Sequence, residues 1–152
     1  MIHNRSAPVG AVAPRLVYED PAAAIEWLCR AFGFAERYRY GRDGTVEGAL
    51  LAVGEGGVMI SGPRVGHGSA ERFEFRPPRP DESSHSLVVQ VEDVDRHHEQ
   101  ARLSGARILL SPTTYPFGER QYTAQDFAGR LWTFSQSVAD VAPEEWGAAP
   151  AS

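Results

Sequence analysis

The 152 residues are enough for one substantial hydrophobic core and too few for two ordinary domains. A hydrophobic content of 42% belongs to a folded chain rather than a disordered one. The formal net charge of −5 argues against general affinity for nucleic acid or anionic membranes, and no apolar run reaches the length of a membrane span.

Residues 1–12 read as a flexible arm. They contain Arg5 but no apolar core of a signal peptide, so a cytoplasmic location is the expectation. The lone Cys29 has no partner for an intramolecular disulfide, so the fold needs no oxidising compartment. Pro14 to Tyr18 suits a short strand. Asp20 is a good helix N-cap, and Pro21 fits the first helical position. Ile25, Leu28, Cys29 and Phe32 then form a single apolar stripe, which Gly33 ends. Three strand candidates follow, Phe34 to Tyr40, Thr45 to Val53 and Val58 to Ser61. Arg42-Asp43-Gly44 and Gly54 to Gly57 supply the turns between them. Residues 62–82 have no clean period and read as a linker, in which Phe73 and Phe75 are free to pack on the core or on a ligand.

The same order then returns. Ser86 to Val91 is a strand, and Asp93 caps a second helix that ends at Gly105. Arg107 to Leu110, Arg120 to Gln125 and Arg130 to Ser137 are strands, with a long turn from Pro112 to Gly118 and a tight one at Asp126 to Gly129. Residues 138–152 are a Pro- and Ala-rich tail with Trp146. Asp20 and Asp93 are 73 residues apart, and Gly57 and Gly129 are 72 apart. A repeat this long, with its units in the same order, predicts an α+β fold of two tandem βαβββ modules, 13–61 and 83–137.

The strings SLVVQVEDVDRHHEQARLSGARIL and PFGERQYTAQDFAGRLWTF resemble the second module of the vicinal oxygen chelate superfamily, which includes glyoxalases, bleomycin-resistance proteins and extradiol dioxygenases. LVYEDPAAAIEWLCRAFGF resembles the family's opening strand and helix. The resemblance runs from about residue 13 to 137. It departs at the hairpin, where Phe127-Ala128 stands between Asp126 and Gly129 in place of a Pro-Asp/Glu pair. It implies a curved mixed sheet with a concave cleft, helices outside, and a homodimer.

Metal-dependent members take His, Gln or Glu ligands from the first and last strands of each module. Counting from the capping Asp and the hairpin Gly places these positions at Ala13, Ser86, Ser61 and Thr133. None is a usual ligand for a divalent ion. His85 lies one residue off, which turns it to the other face. His97 and His98 lie on the second helix and point apart. No metal or other cofactor is therefore expected, and a divalent metal is the alternative.

Strand alternation puts Arg15, Met59, Ser61, Ser86, Gln90 and Thr133 in the cleft, with Tyr115, Phe117, Arg120 and Tyr122 at its rim. Trp132 and Phe134 fall under the helices. Glu47 reads as the one strand carboxylate that could act as a base, with its direction open; a metal-free enzyme using Glu47 or Arg120 is a further alternative, and no catalytic residue is assigned. The expected activity is metal-free binding of a medium-sized organic ligand, a drug or metabolite. The alternative is a metal-dependent lyase, isomerase or dioxygenase.

Overall fold

The structure is a computed structural model. It describes residues 2–65, 74–79 and 81–149, and of residues 64, 65, 74 and 75 the backbone alone. The chain divides into two compact units, Met1–Pro80 and Asp81–Ser152.

In the first unit, β1 (Arg15–Val17) leads into α1 (Pro21–Phe32), followed by β2 (Ala35–Arg42), β3 (Thr45–Val53) and β4 (Gly56–Ser61). Asp20 caps α1 by accepting from the Ala23 amide at 3.1 Å, and Gly33 closes it in the left-handed region at φ 74°. The stripe Ile25, Leu28 and Phe32 is buried, with Ala24 and Ala31 beside it. The sheet order is β1-β4-β3-β2, with β1 and β4 parallel and the rest antiparallel. Asp43 and Gly44 both take positive φ, which matches the twist a two-residue hairpin requires. The linker region contributes a two-stranded pair, β5 (Arg64–Val65) with β6 (Glu74–Phe75). Phe73 lies outside the described residues.

The second unit repeats the plan with β7 (Leu87–Gln90), α2 (Val94–Leu103), β8 (Arg107–Thr114), β9 (Glu119–Gln125) and β10 (Leu131–Ser137), in the sheet order β7-β10-β9-β8. Asp93 caps α2 through the Arg96 amide at 3.1 Å, as Asp20 caps α1. A short 3₁₀ turn, Pro143–Trp146, follows in the tail.

Two expectations change. The strand expected to stop at Leu110 runs on to Thr114, through Pro112. β8 is the edge of its sheet, where a proline costs no ladder hydrogen bond, and register shifts at Leu110 absorb the irregularity. The repeat is also displaced in the last strand. Tyr18 donates to the Ser61 carbonyl at 2.9 Å, and Val91 donates to Ser135 at 2.8 Å, so Ser61 corresponds to Ser135, 74 residues on. Met59, paired with Arg15, corresponds to Thr133, paired with Val88. Counting from the hairpin glycine fails because Val53 pairs with Gly56 across a two-residue turn, whereas Gln125 pairs with Leu131 across a five-residue one.

Candidate functional site

Each sheet has one face under its helix and one face free of it, and the register sorts the side chains. In the first unit Leu16, Tyr18, Ala49, Leu51, Val58 and Ile60 form the buried, helix-side set. Arg15, Val17, Met59 and Ser61 share the opposite face with Gly48 and Leu50. Gly48 is required there, because a Cβ would strike the Tyr40 hydroxyl and the Ile60 carbonyl. Segment 4–8 runs beside this face. Tyr38 Oη donates to the Ser6 carbonyl at 2.7 Å, and Pro8 lies by Gly57. Ser61 Oγ is buried with no hydrogen-bond partner among the described residues. Glu47 is the extra residue at a bulge of β3, where Tyr40 pairs with Gly48 and Gly41 with Val46, and it is exposed.

In the second unit Trp132, Phe134, Tyr122 and Ala124 are fully buried on the helix side. His97 of α2 packs on Phe134 with ring centroids 4.2 Å apart, and its Nδ1 lies 2.6 Å from Tyr122 Oη. Burial pushes the Tyr122 hydroxyl far above its ordinary value. Arg120 reaches the same side, where it forks onto Asp95 at 2.9 Å. Neither Tyr122 nor Arg120 therefore sits at the rim of the helix-free face. Both have the parity of Ala124, which packs inward.

The helix-free face of the second sheet carries Val88, Gln90, Glu119, Gln121, Thr123, Leu131, Thr133 and Ser135. Ser86 precedes β7 by one residue and continues its parity, whereas His85 takes the parity of Leu87. Thr123 and Thr133 share a hydrogen bond at 3.0 Å. Glu119 Oε1 accepts from Ser135 Oγ at 2.8 Å and from Gln90 Nε2 at 3.0 Å, and Gln121 donates to Ser135 at 3.1 Å. Donation from the Ser137 side chain, aided by Gln90 and Ser135 against partial burial, holds the Glu119 carboxyl below the usual carboxylate range. At the adjoining hairpin Tyr115 stacks on Phe117 at 5.3 Å, and Phe117 meets Trp146 edge-on at 5.7 Å.

Glu119 is a strand carboxylate of the helix-free face that the expectation centred on Glu47 passed over. Starting the strand at Arg120 left Glu119 between the turn and the strand. Beginning β9 one residue earlier puts Glu119 in phase with Gln121 and Thr123. A group with a lowered folded pKa stabilises the fold above its unfolded pKa, and that contribution is lost as pH falls through the folded value. Glu119→Gln should therefore lower the melting temperature most at neutral pH. The gap to the parent should close below the usual carboxylate range in a pH series of thermal melts, and a gap that widens on acidification would contradict the assignment.

The donor chemistry does not fit a divalent ion. With the register corrected, the four positions hold Ala13, Met59, Ser86 and Thr133, and no group of three or more His, Cys, Asp or Glu converges among the described residues. A thioether and two hydroxyls are poor ligands for the hard or borderline ions such sites take. Burial foremost, and the nearby Glu36 next, raise the thiol pKa of the half-buried Cys29, which disfavours its thiolate.

The model of the Glyoxalase/Bleomycin resistance protein/Dioxygenase superfamily matches residues 9–134. The chain belongs to this superfamily. Among solved structures, TioX from Micromonospora sp. ML1 is similar, with 31% identity and a TM-score of 0.65 over 88% of this chain and all of that one. The fosfomycin resistance protein FosX from Listeria monocytogenes shares the fold at 13% identity, with a TM-score of 0.59 over 89% of this chain and 96% of its own. The uncharacterized protein Mb0911c of Mycobacterium bovis is 28% identical over 93% of each chain. The superfamily's two-module plan accounts for both units and both Asp-capped helices. Among the described residues no helix is long and apolar enough to cross a membrane.

Proposed function

We propose that this superfamily member binds a medium-sized organic ligand, a drug or a metabolite, on the helix-free face of its second sheet and without a metal ion. The observation that carries the reading is the make-up of that face. Amides and hydroxyls are pre-positioned by hydrogen bonds among themselves and to Glu119, Val88 is 62% exposed, and the positions where the resemblance places metal ligands hold none. Apolar area with a few fixed polar groups is how a protein binds an organic molecule by burial and orientation. Working in the cytoplasm as a homodimer is part of the same proposal.

The test has two arms. Protein expressed with added Zn²⁺, Ni²⁺ or Mn²⁺ and then dialysed should retain only substoichiometric metal by elemental analysis. Stoichiometric retention would overturn the metal-free reading in favour of a metal-dependent lyase, isomerase or dioxygenase. A thermal-shift screen of aromatic metabolites and hydrophobic antibiotics should then yield hits. Gln90→Ala should weaken those hits by roughly threefold to tenfold, the loss expected for one hydrogen bond of about 0.5–1.5 kcal/mol. Light scattering reports the oligomeric state alongside.

A further inference from the structure

We propose that Glu119 and Tyr115 together form a subsite for an organic cation, a protonated amine or a quaternary ammonium group carried on the ligand's apolar body. This rests on the ligand-binding reading above and adds the charge of the ligand to it.

Three features of the second unit point there. The first is that Glu119 carries a negative charge with neutral company. The Gln90, Ser135 and Ser137 side chains hold its carboxylate, and no cation pairs with it among the described residues. Arg120 is adjacent in sequence but lies on the other face, bound to Asp95 and Thr114. The other charge on the same face is Arg107, opposite Gln125. That is six residues along β9 from Glu119, about 20 Å at the rise of a strand. Between them stand only Gln, Thr, Ser, Val and Leu side chains.

The second feature is pre-organisation. Ser135 is fully buried and donates to Oε1, while Gln90 reaches the same oxygen from β7. The carboxylate is thus tied to two other strands, and a ligand need not order it. A purely structural tie between strands needs no ionised group, since a neutral amide also accepts hydrogen bonds. Here every donor is neutral, so the charge is left to act on whatever arrives.

The third feature is aromatic. The Tyr115 amide donates to the Glu119 carbonyl at 2.8 Å, so the two residues stand opposite each other across the β8–β9 hairpin. Opposed residues of an antiparallel pair put their side chains on one face. Tyr115 is backed by Phe117, which is braced by Trp146. A carboxylate beside an aromatic ring suits an ammonium group, through charge on one side and the ring quadrupole on the other.

The experiment uses three probes of like shape and different charge: naphthylethylammonium, neutral naphthylethanol and anionic naphthylpropionate. They are titrated into the ¹⁵N-labelled full chain and followed by amide shifts. The ammonium probe should bind roughly tenfold tighter than the alcohol and shift Glu119 and Gln90. Glu119→Gln should erase that preference, and Glu119→Lys should transfer it to the propionate. Tyr115→Leu should weaken the ammonium probe by roughly threefold more than the alcohol, which keeps the test open should a Glu119 variant fail to fold. Equal binding of ammonium and alcohol, or a preference that survives Glu119→Gln, overturns the cation subsite while leaving the ligand face standing. If no probe shifts any amide of the face, the subsite and the ligand-binding reading fall together.

Discussion

Replacing Trp132 with alanine is expected to cost about 3–5 kcal/mol of unfolding stability, the usual range for deleting a fully buried indole that leaves a cavity behind. Trp132 has no exposed surface and runs parallel to Phe134, with ring centroids 6.3 Å apart. Its position follows from β10 alone. Thr133 and Ser135 have the opposite parity, and Trp132 pairs with Leu87 on one side and Ala124 on the other. Denaturant titration of Trp132→Ala against the parent measures the loss. A change under about 1 kcal/mol would mean that the indole is not in the core of this unit.

The second large effect is expected at Asp126, the turn residue before β10. Its carboxylate is almost wholly buried and accepts from the Ala128 and Arg130 amides and from Trp132 Nε1, each at 3.0 Å. Asp126→Ala would leave buried donors without acceptors and should cost about 2–4 kcal/mol. Because one of those donors belongs to Trp132, the two losses are coupled. The double variant Trp132→Ala/Asp126→Ala should lose less than the sum of the single variants, by about 1–2 kcal/mol. Additivity within error would sever the proposed link between the hairpin and the core. This arrangement also explains how the chain keeps Asp126 and Gly129 while departing from the family's residues between them. The side chain that closes the turn is the Asp, whereas Phe127 is half exposed.

Much of the architecture could be read from local chemistry. Asp20 and Asp93 announce two helices because a carboxylate one residue before the first turn satisfies an otherwise orphan amide. Asp43-Gly44 announces a hairpin because both residues must take positive φ. The inward set of β10 was legible from alternation. Errors arose where an edge or a loop length intervened. Pro112 reads as the end of a strand unless that strand is known to be an edge. Ser61 and Thr133 read as equivalent unless the two turns are known to differ in length.

The candidate site divides along the same line. Residue type and period were enough to determine an α+β chain of two repeated βαβββ modules and their capped helices. Only the tertiary structure decided that Arg120 turns away to Asp95, that Tyr122 is sealed against His97, and that Glu119 stands on the helix-free face tied to Gln90 and Ser135. The physical reason is that a strand's period of two fixes which residues share a face but not where the strand begins. The partners of a polar side chain lie on other strands, and pairing register alone brings them within hydrogen-bond distance.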